Sequence, residues 1–209
     1  GRQSALARAC GVATTPARPR RWAFGAYADG IDGVAADFGE MHVRDGSYLG
    51  LAPVAGGLTN VCLVLPRQRA AAAVTAPWDA IRRAVAGDDL LRDRFAGARL
   101  ASAPVVLGPM AVDVSRPGVP GLLLAGDASG FVDPMTGDGL RLAIDGALLA
   151  AEVAAGVLDG RIPQACAAAV LDSRRHAAFA AKWRFNRGLR ALVDAPSLVR
   201  AATWAARAW

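Results

Sequence analysis

Asp127 is the residue from which chemistry can be argued first. It comes after a short apolar run, Leu122-Leu-Leu-Ala125, and one glycine, Gly126. A carboxylate placed just past the carboxyl end of a buried strand sits where ligands bind in open α/β sheets. It accepts hydrogen bonds and donates none, which suits the hydroxyls of a sugar-like chain. Downstream come Pro134 and then Gly137-Asp138-Gly139, which lets the backbone turn tightly into a helix beginning near Leu140. A helix start preceded by glycines offers free N–H groups and the positive end of the helix dipole, and so attracts an anionic or electron-rich atom. A plain strand-to-helix connection is the competing explanation. Such connections usually run about 2–6 residues, whereas this one occupies residues 126–138. Spacing alone leaves the two explanations about level.

Several elements must position these groups. Leu122–Ala125 is fully apolar, the pattern of a strand buried in a parallel sheet. Leu140 to Leu158 is a long helix ending at Gly160. Upstream, Trp22–Tyr27 and Asp37–Val43 alternate in character. Asp45-Gly46 turns into Ser47–Leu51, and Gly56-Gly57 turns into Leu58–Leu65. Such turns between apolar runs signal hairpins, so three or four antiparallel strands are expected. Helices are expected at Ser4–Ala9, Pro77–Ala86 and Asp88–Phe95, and strands at Leu100–Leu107 and Met110–Val114. Residues 14–20 read as a loop. The C-terminal region reads as helices over Pro163–Phe185, Arg187–Val193 and Pro196–Ala208. The fold class is therefore α+β or α/β.

Composition agrees with a folded chain: 209 residues, 54% hydrophobic and 20% charged. The formal charge of +6 is uneven. Residues 1–160 carry 15 basic and 16 acidic residues, whereas 161–209 carry 9 basic and 2 acidic ones. The C-terminal region is thus a basic patch that could meet an acidic lipid, a nucleic acid or an anionic substrate, or simply be a solvated helix face. Nucleic-acid binding is not expected. Its Trp183, Phe185, Trp204 and Trp209 fit either peripheral membrane contact or, as the preferred reading, packing on the domain core. Cys10, Cys62 and Cys166 are odd in number and far apart, which matches neither a disulfide framework nor a zinc site; with only His42 and His176, no metal site is expected. A reducing, cytoplasmic setting is the default, since no signal peptide or membrane span is visible.

The run Gly126-Asp127-Ala128, then Pro134, then Gly137-Asp138-Gly139 and Asp145-Gly146 in the helix, resembles the second FAD motif of glutathione-reductase-type flavoproteins. The nearest resemblance is to the group of aromatic-ring hydroxylases and geranylgeranyl reductases. The resemblance implies that Asp127, after Gly126, binds the ribityl chain. It implies that Pro134 to Leu140, with Gly137 and Asp138 among them, pass beside the flavin ring as cofactor-binding residues, and that Gly139-Leu140 at the helix start faces the ring's pyrimidine edge. The start Gly1-Arg-Gln-Ser-Ala-Leu-Ala7 is similar to the second half of another family motif. The sheet around Glu40–Pro53 is similar to the family's substrate domain, which marks His42, Tyr48 and Pro53 as a weak set of pocket candidates. The motif Gly-x-Gly-x-x-Gly, which holds the ADP half of FAD, is absent. The expectation is an incomplete FAD-binding Rossmann-like domain (residues 1–15 and 111–160), an antiparallel substrate-binding domain (16–110) and a basic helical region (161–209). The N-terminal FAD-binding half would then lie outside this chain.

The function this implies is that of an FAD-dependent oxidoreductase, monooxygenase-like, acting on an organic substrate with NAD(P)H as reductant. A geranylgeranyl-reductase-like enzyme that reduces a carbon–carbon double bond is the alternative, so an aromatic, a lipid and an isoprenoid are all candidate substrates. A non-enzymatic module with a vestigial flavin site, binding a membrane or protein partner, is the reading from a different class. Single residues stay open. His42 is either a pocket acid–base or a surface strand histidine. Met41 and Tyr48 contact substrate or cover a sheet face. Asp133 and Asp138 cap turns, Arg141 meets an anion or solvent, and Ser129 touches ligand or turns the chain.

Overall fold

Alternation at period two sends successive side chains to opposite faces of a strand, and this chain uses it most fully between Arg21 and Pro66. In the computed structural model, residues 1–14, 21–44, 46–130, 134–193, 195 and 197 are described. The regular elements, in order, are α1 (Ala5–Ala9), β1 (Ala13–Thr14), β2 (Arg21–Asp29), β3 (Glu40–Arg44), β4 (Ser47–Val54), β5 (Leu58–Pro66), α2 (Arg67–Ala70) and α3 (Pro77–Ala86). Then come β6 (Arg99–Leu100), β7 (Val105–Leu107), β8 (Asp113–Val114), β9 (Gly118–Val119), β10 (Leu122–Leu123), α4 (Gly139–Leu158) and α5 (Ala167–Val193). Of the expected loop at 14–20, Thr14 ends β1; its other residues, the role of Asp133, the residue Asp45, the Pro196–Ala208 helix and the aromatics Trp204 and Trp209 fall outside the described residues.

The chain divides into two compact units. One comprises residues 19–109 with 191–209. Its antiparallel sheet runs β3-β4-β5-β2, with β6 and β7 both paired to β2. The register sets Phe24 against Leu63, and Leu63 against Leu49. The sheet's core residues include Phe24, Leu51 and Val61, each 1% exposed or less. They pack with Ala80, Ile81 and Val85 of α3 and Ala70 of α2, forming this unit's core. Gly46, Gly56 and Gly57 all have φ between +65° and +80°, which glycine adopts without strain, so both expected hairpins close there.

The other unit comprises residues 1–18 with 110–190. Ser4 caps α1, its hydroxyl accepting from the Ala7 N–H. β1 pairs with β8, and β9 with β10, both antiparallel. Ala7, Val12 and Leu124 form a small core there. α4 packs Val153 and Ala150 against Leu171 and Ala167.

Several expectations change. Leu122–Ala125 is not a strand of a parallel sheet here. Only Leu122–Leu123 is strand, held in a hairpin by β9, while Leu124 donates its N–H to the Pro117 carbonyl. The Leu100–Leu107 strand is broken into β6 and β7, because Pro104 cannot donate to a ladder; Ser102 instead accepts from the Tyr27 N–H. Of the expected Met110–Val114 strand, Asp113–Val114 is strand and Val112 a single bridge. Asp37–Val43 becomes Glu40–Arg44. Asp88–Phe95 is not an α-helix. The Asp88 carboxylate accepts from the Leu90 N–H and pairs with Arg44, a local side-chain bond that competes with helix, and only Asp93–Phe95 forms a 3₁₀ turn. The break expected at Asn186 does not occur, and α5 runs through it. Among the described residues, no helix is long and apolar enough to cross a membrane, and no group of three His, Cys, Asp or Glu side chains could hold a metal.

Candidate functional site

The Gly126–Gly130 segment leaves β10 as a tight 3₁₀ turn rather than an open loop. Gly126 has φ +59° and Gly130 φ +116°, values that only glycine adopts freely. Ser129 is 5% exposed, and its hydroxyl donates to the Gly126 carbonyl at 2.7 Å, tying the turn shut. Ser129 therefore turns the chain. Asp127 is half-buried on this turn. Pro134–Thr136 makes a second 3₁₀ turn, and Gly137, at φ +69°, redirects the chain into α4.

At the start of α4, the Asp138 carbonyl accepts the Leu142 N–H, but its side chain makes no cap bond. The expected capping role of Asp138 gives way to an ion pair with Lys182 Nζ at 2.7 Å. That ammonium holds the Asp138 carboxyl below its ordinary range. The first N–H groups of a 20-residue helix are thus left without a capping side chain at Asp138, which is the arrangement that receives an electron-rich ligand atom.

Gly126, Asp127, Asp138 and Gly139 border one cavity of about 180 Å³, together with Arg175 and Asn186 of α5. Small-molecule sites typically measure about 300–1,000 Å³, so this cavity has room for only a portion of such a molecule. Of the other sequence candidates, Leu140 is 73% exposed and lies outside the cavity lining, and Gly137 shapes the backbone without bordering the cavity. Arg141 is solvent-facing and lies 3.5 Å from Asp145.

The α5 wall carries no motif that marks it in the sequence. Arg175, Phe179, Trp183, Asn186 and Arg187 recur at the three- and four-residue spacing of one helix face, and that period is the signal that could have found them. Two cations of this basic helix are paired with the α4 region: Arg174 with Glu152 at 3.2 Å and Lys182 with Asp138. Phe179 is buried, whereas Phe185 is 57% exposed.

In the sheet unit, His42 and Tyr48 border a separate open cavity of about 740 Å³ with Arg44, Arg69 and Asp88. Pro53 does not; it lies at the far end of β4, opposite Thr59. Met41 is 43% exposed. His42 Nε2 is 2.8 Å from Glu40 Oε2, and Glu40 is gripped through both oxygens by Arg94 at 2.8 Å. The Arg94 guanidinium first, then His42, hold the Glu40 carboxyl down at about 2 against the pull of burial. His42 is therefore engaged in a structural ion network.

This architecture is shared with flavin-dependent enzymes of known structure. The myxobacterial chondrochloren halogenase CndH superposes with a TM-score of 0.76 at 21% identity, covering 88% of this chain and 44% of that one. The flavin-dependent halogenase CmlS gives 0.74 at 21% identity, over 86% and 33%. The flavin-dependent brominase Bmp2 gives 0.71 at 18% identity, over 94% and 53%. In sequence, 129 residues are 36% identical to digeranylgeranylglycerophospholipid reductase 2 of Methanothermobacter thermautotrophicus, a stretch covering 59% of this chain. It covers 31% of that relative, so the chain spans about a third of it. No family model matches.

Proposed function

We propose that this chain forms the flavin-ring side of an FAD-dependent oxidoreductase of the glutathione-reductase type. The observation that carries the reading is the cavity where Asp127 meets the uncapped start of α4. A bound flavin would supply the redox chemistry, accepting and passing on electrons that no protein side chain carries. Asp127 accepts hydrogen bonds from the ribityl hydroxyls. Gly126 keeps the backbone beside the cavity free of a Cβ atom, and Gly137 turns the chain into α4. Gly139 and the N–H groups after it would favour negative charge on the pyrimidine edge of a ring held there. Asp138 borders the same cavity beside Gly139. The cavity's small volume fits a site completed by a nucleotide-binding half that holds the ADP portion.

NAD(P)H is the proposed reductant. The substrate is a small organic molecule, either aromatic or isoprenoid, reached in the cytoplasm or at a membrane surface touched by the basic C-terminal region. The sheet face that carries Tyr48 would border it. Reduction of a double bond in an isoprenoid lipid is favoured over hydroxylation by one specific observation, the 36% identity to a digeranylgeranylglycerophospholipid reductase. The experiment is anaerobic mixing of the FAD-loaded natural-length protein with NADPH or NADH, then with a geranylgeranylated glycerophospholipid. Bleaching by the nicotinamide and recovery of colour on adding the lipid are expected. Bleaching without recovery removes the lipid reading, and no bleaching with either nicotinamide removes the reductant.

A further inference from the structure

Arg175 is buried to 6% exposure in the middle of α5. Its Nη2 donates to the Ser129 carbonyl at 3.0 Å. Its Nη1 passes over α4 at Gly146, where an added Cβ would stand 2.8 Å away, so the glycine forms the notch that admits the guanidinium. The rings of Phe179 and Trp183 lie 5.7 and 5.8 Å from Cζ. Among the described residues no carboxylate forms an ion pair with it. Burial draws its pKa below the ordinary arginine value, and Asp172 on the same helix opposes that only from a distance.

A buried cation costs free energy unless something uses it. A guanidinium has five N–H donors, and the bond to Ser129 occupies one. Asn186 borders the same cavity, is 7% exposed, and its Oδ1 has no partner among the described residues. Two buried polar groups with unused capacity therefore face one cavity, beside a helix start that lacks a side-chain cap. The acids on that cavity are Asp113, Asp127 and Asp138, the last neutralised by Lys182.

We propose that Arg175 is the cationic anchor of this ligand site. It is a positioning residue that holds the Gly126–Ser129 turn, and with it Asp127, in the shape that receives the ligand. It is also a fixed positive charge that favours the more negative, reduced form of a bound flavin. The first role stands on the strut geometry alone, and the second rests on the flavin reading. A unit charge about 10 Å away at an effective dielectric constant of about 20 shifts a charge-forming equilibrium roughly tenfold.

The test uses the natural-length protein with Arg175→Met, Arg175→Lys and Gly146→Ala, with two readouts. Amide hydrogen exchange at residues 126–130, without flavin, reports the strut. Faster exchange is expected in all three variants. The reduction potential of bound FAD reports the charge. Arg175→Met should lose about tenfold of the preference for reduced over oxidised flavin, about 30 mV for a two-electron couple, while Arg175→Lys should stay within about threefold of wild type. Equal potentials in wild type and Arg175→Met overturn the electrostatic role. Unchanged exchange in Arg175→Met overturns the positioning role. A wild type that takes up no FAD refutes the flavin reading and the electrostatic role with it, and leaves the exchange experiment to decide the strut.

Discussion

Replacing Arg94 by Met would strip Glu40 of a grip that reaches well beyond one ion pair. Arg94 meets both Glu40 oxygens at 2.8 Å, and its Nε and Nη2 donate to the carbonyls of Asp32 and Gly33 at 2.8 and 2.9 Å. The guanidinium thus pins the 32–33 turn to the end of β3. A fall of the Glu40 pKa from 4.5 to about 2 corresponds to at most about 3.5 kcal/mol at about 1.4 kcal/mol per unit. The Glu40 and Arg94 side chains are 17% and 22% exposed, so solvent screening reduces this, and about 2 kcal/mol is expected. By linkage, a carboxyl whose pKa is lower in the folded state stabilises above its unfolded value, and loses that contribution as pH falls through the folded value. Wild type and Glu40→Gln should therefore differ by about 2 kcal/mol at pH 7, with the gap closing between about pH 4.5 and 2. Urea unfolding of the sheet unit, monitored through Trp22 and Trp78, measures this. A Glu40→Gln deficit that is the same at pH 7 and at about pH 2.5, or an Arg94→Met protein within about 0.5 kcal/mol of wild type, would refute the reasoning.

Three other substitutions have outcomes set by the same geometry. Asp127→Ala removes the proposed acceptor for the ribityl chain, and hydrogen bonds to a charged group contribute about 1.5–3 kcal/mol; FAD affinity, titrated by quenching of flavin fluorescence, should fall about 10- to 100-fold with the fold unchanged by circular dichroism. Phe24→Ala empties a fully buried position between the sheet and its helices, so denaturant unfolding should show a loss of about 3–5 kcal/mol. Gly108→Ala places a Cβ inside the Trp22 indole, so a shifted Trp22 fluorescence spectrum and a loss of about 1–3 kcal/mol are expected, as for overpacking elsewhere.

Much of the sheet unit could be read from sequence because its signals are local. Gly46 and the Gly56-Gly57 pair fix turns by backbone preference, and the alternation from Trp22 to Leu65 fixes faces. Strand lengths could not be read, since they depend on partners. Met110 and Ala111 have the composition of a strand but lie outside β8, whose two residues pair with Ala13 and Thr14. Leu122–Ala125 has the hydrophobicity of a parallel strand but folds back on Gly118-Val119. At the candidate site, the two turns were legible because Gly126 and Gly137 stand where the backbone needs positive φ. The α5 wall was not. Arg175 and Asn186 are ordinary surface residues by type, and the packing of α5 against α4 and the Ser129 turn buries Arg175. Asp138 shows the same limit, since its position suggests a cap but Lys182, far along the chain, takes its carboxylate.

If the turn at Asp127 and the start of α4 hold the ring side of FAD, the protein must carry colour. The direct measurement is the absorption spectrum of the purified natural-length protein, before and after adding FAD and removing the excess. A protein-bound yellow chromophore with a flavin spectrum is predicted, which Asp127→Ala retains only weakly. A protein that is colourless as purified and stays colourless after FAD is supplied would contradict the assignment of this site.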